Sequence, residues 1–305
     1  MIAAFLATVL FALSAVSANR SVAVLGGTPA LLARLCVATL LLGAYAHTLG
    51  AGFGGAGLKW FLLSGVVGMG FGDIALFEAL PRIGSRLSVL IVHCAAAPLA
   101  AAVEWLWLGQ AMTSREMLGS LTILAGVALA LAPAGAGGAS VGWRLGVVFA
   151  LVAAVGQGLG AVFSRVANEA ARTAGGPIDG LSAAYQRIVA GVAVTAVAFL
   201  WLQRRGLVAR FAGGTRGGED GPASDRLRRA APWVVANALA GPTLGVSCYQ
   251  WALAQRGTGV VLPIVALTPL VVIPLAARLE GERPSRRSLV GGLVAVAGTI
   301  LLATG

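Results

Sequence analysis

Long apolar runs separated by short polar stretches dominate the chain. A helix needs about 20 apolar residues to cross the roughly 30 Å hydrocarbon core of a bilayer. Ten windows of that kind, bounded by charge, Pro or Gly, can be marked: 2–18, 30–49, 60–80, 87–108, 116–133, 145–164, 182–202, 232–253, 257–278 and 287–304. The eighth and ninth are the cleanest, since Ala230 to Gln255 and Gly257 to Ala277 run 26 and 21 residues without a charge. The first begins almost at Met1 and could equally be a signal-peptide core, but the other windows keep the chain in the bilayer either way. A β-barrel would show strands of about ten residues alternating apolar and polar, whereas these runs are continuous and rich in Ala, Leu and Gly. The expected fold is all-α, a polytopic membrane protein with ten transmembrane helices.

Composition agrees. Of 305 residues, 58% are hydrophobic and 11% charged, against about 25% charged in soluble domains. The three cysteines, Cys36, Cys94 and Cys248, are an odd set within apolar runs, which leaves no disulfide framework and no Cys-x-x-Cys metal site. The net charge is +11, but the basic residues sit between apolar windows, as in the loops of multispanning proteins, so nucleic acid is not an expected partner. With no Gly-x4-Gly-Lys-Ser/Thr and no His-Glu-x-x-His, neither ATP-driven pumping by this chain nor zinc proteolysis is expected, and no cofactor is implied. Small residues four apart recur (Gly68 with Gly72, Gly126 with Ala130, Gly156 with Gly160, Gly291 with Ala295). Such stripes let helix backbones approach closely, first within one bundle and alternatively across a homodimer face.

The chain repeats itself. "ALPRIG" at 79–84 aligns with "ALAQRG" at 252–257 at an offset of 173, and Gly109, Gly119 and Gly126 match Gly281, Gly291 and Gly298 at 172. Arg34 matches Arg187 at 153; the jump reflects a polar insert at 203–231. Each half, 1–135 and 143–305, therefore holds five helices. An odd number inverts the second half relative to the first, giving two inverted repeats able to exchange conformations.

Lys and Arg in short loops set orientation. One side gathers 15 of them, including Arg20, Arg82, Arg86, Arg144, the insert's arginines and Arg278, Arg283, Arg286 and Arg287; the other holds Lys59, Arg115, Arg165, Arg172 and Arg256. By this count the basic side is cytoplasmic and both termini lie outside.

Two five-helix halves, each with an Arg early in its second helix, an Ala-Leu…Gly end to its third and a Leu-Gly-Glu-like end to its fourth, resemble the EamA-type drug/metabolite transporters over nearly the whole chain. The resemblance implies a carrier in the cytoplasmic membrane for amino acids, amines, nucleobases or related solutes, most often an exporter. It also implies cytoplasmic termini, against the charge count. The implied cavity is lined by the third, fourth, eighth and ninth helices, around Phe71 to Phe77, His93 to Trp105, Gly245 to Trp251 and Pro263 to Pro274. The first half departs from the pattern in reading Leu108-Gly109-Gln110, while the second keeps Gly281-Glu282.

Ionisable residues inside spans are costly and point to function. Asp73 lies near the middle of the third window beside Gly70 and Gly72, a candidate proton carrier or counter-charge for a cationic solute; a structural hydrogen bond is its plainer role. His93, in the fourth window, could change charge near neutral pH, with a structural hydrogen bond to a neighbour an equal alternative. Glu78 and Glu104 lie near span ends, where structural roles lead, and Arg34 and Arg187 are expected to snorkel or pack, with substrate contact secondary. Pro98, Pro263, Pro269 and Pro274 interrupt equivalent helices and free carbonyls, which in transporters marks substrate sites, with simple helix kinks an equal alternative. Trp105, Trp107, Tyr249, Gln250 and Trp251 complete the candidates near the implied cavity, with Phe77 beside Asp73 and interfacial aromatic belts an alternative for the rings.

Rival classes can be tested on the residues. Gly70-Phe71-Gly72-Asp73 matches the Gly-x-Gly-Asp string of intramembrane aspartyl proteases, but that chemistry needs two carboxylates sharing a proton, and Asp179, Asp220 and Asp225 all lie in loops. The basic insert could dock a partner or anionic lipid, which would suit a scaffold; a flippase for a lipid-linked metabolite is a closer alternative. The reading favoured by sequence is a non-enzymatic secondary transporter whose partners are a small solute, the lipid bilayer and, as coupling ion, protons.

Overall fold

A computed structural model describes residues 2–109, 113–131, 141–206, 223–256, 258–281 and 285–303. Gln110, Glu282, Arg283 and most of the insert lie outside the described residues. The helices in chain order are α1 (Ile2–Leu25), α2 (Gly27–Thr48), α3 (Leu58–Ser64), α4 (Asp73–Leu108), α5 (Ser114–Leu131), α6 (Val141–Thr173), α7 (Gly180–Arg204), α8 (Ala223–Ala238), α9 (Val246–Gln255), α10 (Thr258–Val265), α11 (Thr268–Leu279) and α12 (Arg286–Ala303). Two π-helical segments, Gly65–Gly72 and Leu239–Gly245, join α3 to α4 and α8 to α9. No strand occurs among the described residues, and the protein is a polytopic all-α membrane protein.

Within the described residues each apolar window falls mainly on helix, with boundaries that physical chemistry explains. Windows three and four merge into α3, the first π segment and α4, broken at Gly84, whose φ of 76° and ψ of 168° no helix accommodates. The ninth breaks at Ala266–Leu267, just before Pro269, whose missing N–H cannot continue the ladder. Asp179 starts α7 by accepting hydrogen bonds from Leu181 N at 3.0 Å and Ser182 N at 2.9 Å. Among the described residues, six stretches are long and apolar enough to cross a membrane: Ile2–Leu25, Gly27–Thr48, Leu58–Trp107, Val141–Thr173, Gly180–Arg204 and Val260–Leu279. Met117–Ala130 is a shorter apolar helix.

Packing is inverted relative to a water-soluble protein. On α1, Ala7 and Ala12 are buried while Phe5, Val9 and Leu13 are exposed; on α6, Ala150 and Ala154 are buried while Val148, Leu151 and Val155 face outward. Large apolar side chains gain little by leaving lipid, so the interior goes to small residues that bring backbones together. All four small-residue stripes pair with one another inside the chain. A Cβ on Gly72 would lie 3.4 Å from Gly156 Cα, and one on Gly160 3.4 Å from Gly68 Cα. On α5 and α12, a Cβ on Gly126 would meet Ala295 N at 2.3 Å and one on Gly291 would meet Ala130 N at 2.4 Å. These stripes are occupied within the chain and are not free to form a dimer face.

The contacts have a reciprocal pattern. Helices α2 and α7 pack together, as do α5 and α12; α1 packs on α8, the second π segment and α9, and α6 packs on α3, the first π segment and α4. Along α5 and α12 the order of contacts reverses, Gly119 and Ile123 meeting Gly298 and Gly126 and Ala130 meeting Gly291, so the two helices are antiparallel. Arg82 of the basic group ion-pairs with Glu78 at 2.7 Å and lies against Gly146, while Glu78 abuts Gly27.

Gly291→Val places a branched side chain where backbone already stands. The expected loss is about 1–3 kcal/mol or more, read as a lowered unfolding temperature in detergent, whereas Gly142→Ala, with nothing within 4 Å of the added carbon, should leave that temperature unchanged or raise it.

Candidate functional site

The two π segments face a common cavity. A π turn widens the helix and leaves backbone irregular, a feature frequent at functional sites. Here Gly68, Met69 and Gly72 of the first and Gly241 and Pro242 of the second line the same space. About 80 Å³ of it is open to the centres of water molecules, room for several waters. Phe11, Ser14 and Ala18 of α1, Arg34 of α2, Val89 and His93 of α4, Gln157 of α6, Arg187 of α7 and Tyr249 of α9 complete the main walls.

Charge is concentrated at its centre. Asp73, the first residue after the first π segment, forms an ion pair with Arg34, whose Nη2 donates to Asp73 Oδ2. Arg34 Nη1 also donates to Asn237 Oδ1 at 3.3 Å, and Ser14 Oγ donates to the same oxygen at 2.7 Å. The guanidinium carbon of Arg34 stands 4.5 Å from the centre of the Phe77 ring, a cation–π contact. Four helices, α1, α2, α4 and α8, are tied together by this network. Arg187 is equally enclosed, 4% exposed, yet no hydrogen bond or ion pair to it is found among the described residues and its Nε is unpartnered. His93 Nδ1 and Tyr249 Oη are likewise buried without partners; the His93 ring stacks on Phe11 at 5.6 Å, and Tyr249 meets Phe11 edge-on at 5.9 Å.

The sequence candidates divide sharply. The structure brings Arg34, Asp73, Phe77, His93, Arg187 and Tyr249 together on the cavity wall. Arg34 and Arg187 do not snorkel: both are buried, because each lies deep enough that the cavity offers the nearest polar surroundings. Pro98, Glu104, Gln250, Trp251 and Pro269 are not on the wall. Glu104 instead joins three helices, with Arg165 Nη1 at 2.9 Å and Thr258 Oγ1 at 2.5 Å from its Oε1. Trp251 is half exposed on the outside, as are Trp105 and Phe71. Gln250 is fully buried with both amide atoms unpartnered. Pro98 is buried in α4, next to the Ala96–Ala100 stretch that packs on Gly158.

The ninth window supplies no wall residue among those described, against expectation. Its break is closed locally: the carbonyl of Val265, which Pro269 cannot reach, accepts from Thr268 Oγ1 at 2.5 Å, Ile264 O accepts from Thr8 Oγ1 at 3.1 Å, and Ala266 O accepts from Cys94 Sγ at 3.7 Å. Carbonyls satisfied by neighbouring side chains leave nothing for a solute. Helices α1, α2, α6 and α7 take the place expected of it. Sequence reasoning missed Ser14, Asn237 and Gln157; their only signal was a polar side chain inside an apolar window.

The profile of the EamA-like transporter family matches residues 1–132 and 144–304. The "Probable 4-amino-4-deoxy-L-arabinose-phosphoundecaprenol flippase subunit ArnE" of Pseudomonas aeruginosa (strain UCBPP-PA14) is 40% identical over 78 residues, which are 25% of this chain and 64% of that protein. The chain thus matches less than two thirds of that relative's length. A solved structure titled "Crystal structure of protein" superposes with a TM-score of 0.62 at 17% identity, covering 99% of this chain and 95% of the other, a likeness of fold.

Arg34→Ala would leave the Asp73 carboxylate buried and unpaired. Loss of one partner from a buried pair costs about 3–5 kcal/mol, and removing both is far milder. Thermal unfolding of the purified protein should show a large loss for Arg34→Ala and for Asp73→Ala, and a double substitution well short of their sum; additive losses would show that the pair is not coupled.

Proposed function

Because the chain belongs to the EamA-like transporter family, we propose that it is a secondary transporter moving a small metabolite across the cytoplasmic membrane by alternating access, with the cavity between its halves as the binding site. The observation that carries this reading is the cavity itself: a polar chamber holding the Arg34–Asp73 pair and a second buried arginine, where the two irregular helix segments meet. Ionisable groups are kept inside a membrane bundle where they serve a passage or its gating, and irregular backbone at that depth is tolerated where it lines a cavity.

Two inverted repeats of five crossings each, 1–135 and 143–305, suit this mechanism. Support comes from the π segments, which start at 65 and 239 and end at 72 and 245, close to the 173-residue offset of the sequence repeat. The reciprocal packing of α2 on α7 and of α5 on α12, the latter antiparallel, also suits a two-fold exchange of halves. In such a bundle the two halves can trade conformations and present one chamber to either side in turn. Asp73, held by Arg34, acts as a counter-charge whose release accompanies the change of state. Proton coupling at the same carboxyl would require it to part from Arg34 first. Export is the favoured direction, and the charge distribution favours termini outside the cell.

A flippase for a lipid-linked metabolite is the second reading, favoured by the printed name of the Pseudomonas relative. It needs the chamber to open sideways to lipid while the same polar groups handle the head group.

The test begins with a metabolite library screened for thermal stabilisation of the purified protein. A stabilising solute should enter proteoliposomes, and Asp73→Asn should reduce that flux at least tenfold, as expected for loss of a buried charge interaction. Deleting 212–224 should leave it intact. Flux unaffected by Asp73→Asn would remove that residue from the mechanism, and absence of flux for every stabilising solute would favour a scaffold. For orientation, a cysteine introduced at Gly54 in a variant lacking native cysteines should react with a membrane-impermeant maleimide from outside intact cells, and one at Gly218 should not; the reverse pattern would place the termini in the cytoplasm.

A further inference from the structure

The two halves differ at one decisive position. At the repeat offset of 173, Asp73 corresponds to Val246, and the structure agrees, since each is the first residue after its π segment. Arg34 corresponds to Arg187, and their surroundings match: a Cβ on Gly241 would lie 3.3 Å from Arg34 Nη1, and a Cβ on the corresponding Gly68 would lie 3.1 Å from Arg187 Nη2. The arginine is therefore duplicated and the carboxylate is not. Arg34 has Asp73; Arg187 has Val246.

Neighbouring positions diverge in the same sense. Leu76 and Phe77 of the first half correspond to Tyr249 and Gln250 of the second. Phe77 covers Arg34 with its ring, whereas Tyr249 Oη and both amide atoms of Gln250 are buried without partners. Arg187, Val246 and Tyr249 all line the cavity. A buried guanidinium without an acceptor is costly, and charged groups inside proteins are paired or bind an ion. Its fork of donors is shaped for carboxylate and phosphate oxygens. The ionisable lining, two arginines against one aspartate with His93 and Tyr249, leaves one positive charge unanswered.

We propose that Arg187 binds an anionic group of the transported solute, a carboxylate or a phosphate, in the place beside Val246 that Asp73 fills beside Arg34, with Tyr249 as a second donor. The inference rests on the carrier reading and names the substrate class of the same chamber. The solute completes a second ion pair and makes the two halves electrostatically alike. A free anion and a lipid phosphate share this chemistry.

The experiment follows thermal unfolding of the purified protein with phosphate, acetate or choline at equal ionic strength, and of protein in phosphatidylcholine vesicles with or without a few per cent of a polyprenyl phosphate. An anionic probe should raise the unfolding temperature and choline should not. Response to phosphate or acetate identifies a water-soluble anion; response to the polyprenyl phosphate alone identifies a lipid head group. Arg187→Ala and Val246→Asp should each raise the half-saturating concentration about tenfold or more, the first by removing the donor and the second by installing a resident competitor. Arg187→Lys and Val246→Asn should keep the response. If Val246→Asp fails to fold, the contrast between alanine and lysine at 187 decides.

An unchanged response in Arg187→Ala, or no response of the wild type to any anionic probe, overturns the assignment. Solute flux that persists while no anion binds would discard the anion and keep the carrier. Anion binding without flux of any solute would discard the carrier and keep the Arg187 site.

Discussion

A guanidinium inside a lipid-embedded bundle must be answered by an acceptor, and the architecture of this chamber follows from a demand met at Arg34 and left open at Arg187. Arg34 is answered within the protein by Asp73, by Asn237 and by the face of Phe77. In water such contacts would compete with solvation and contribute little. In a dry interior their absence costs several kcal/mol, so the positions of α1, α2, α4 and α8 are fixed together by one polar network. Arg187 shares the cavity wall with Tyr249 and Asp73 but has no direct acceptor among the described residues.

The rest of the bundle makes that arrangement possible by close backbone approach. Without a hydrophobic driving force between helices, association depends on packing. Gly68, Gly72, Gly156 and Gly160 bring α6 against the first π segment, while Gly126 and Gly291 lock α5 to α12. The chamber opens where this packing gives way to widened turns. Their freed backbone space is taken by the arginines: Arg187 Nη2 lies against Gly68, and Arg34 Nη1 against Gly241. A Cβ on either glycine would crowd the guanidinium, and one on Gly241 would also meet Ser14 Oγ at 2.4 Å, so glycine there serves the site as well as the helix contact.

Much of this was legible in the sequence, because hydrophobic run length is a strong signal and lipid forbids most alternatives to helix. The apolar windows are legible directly, as are the small-residue stripes whose partners proved to be one another, and the sequence candidates Asp73, His93 and Tyr249 lie on one cavity wall. What could not be read was depth and direction. Arg34 and Arg187 looked like residues near helix starts, yet the preceding loops lie far enough away that both side chains turn inward. The prolines of the ninth window promised an irregular, ligand-facing backbone, and the promise failed because Thr8, Cys94 and Thr268 reach the freed carbonyls. Such satisfaction depends on residues up to 256 positions apart, which no local pattern reveals. Asn237 was passed over for the same reason: its importance lies in meeting Ser14 and Arg34 from other helices.

An alternating carrier needs two states close in energy, and a duplicated scaffold provides them without fine adjustment, since exchange of equivalent halves exchanges equivalent contacts. Strict equivalence would also make the empty protein indifferent between its two faces and give a solute no purchase on the choice. In the proposed carrier, divergence at the chamber would resolve this. Between the halves, Asp73 stands against Val246, Leu76 against Tyr249 and Phe77 against Gln250, while the contact stripes on α5 and α12 remain interchangeable. In the proposed carrier a common frame would keep the two states close in energy, and the unmatched side chains would supply the difference in affinity that a ligand must have to shift a population. In the proposed carrier the simplest such asymmetry is a carboxylate beside Arg34 and none beside Arg187, so that Arg187 is the guanidinium an incoming anion would answer.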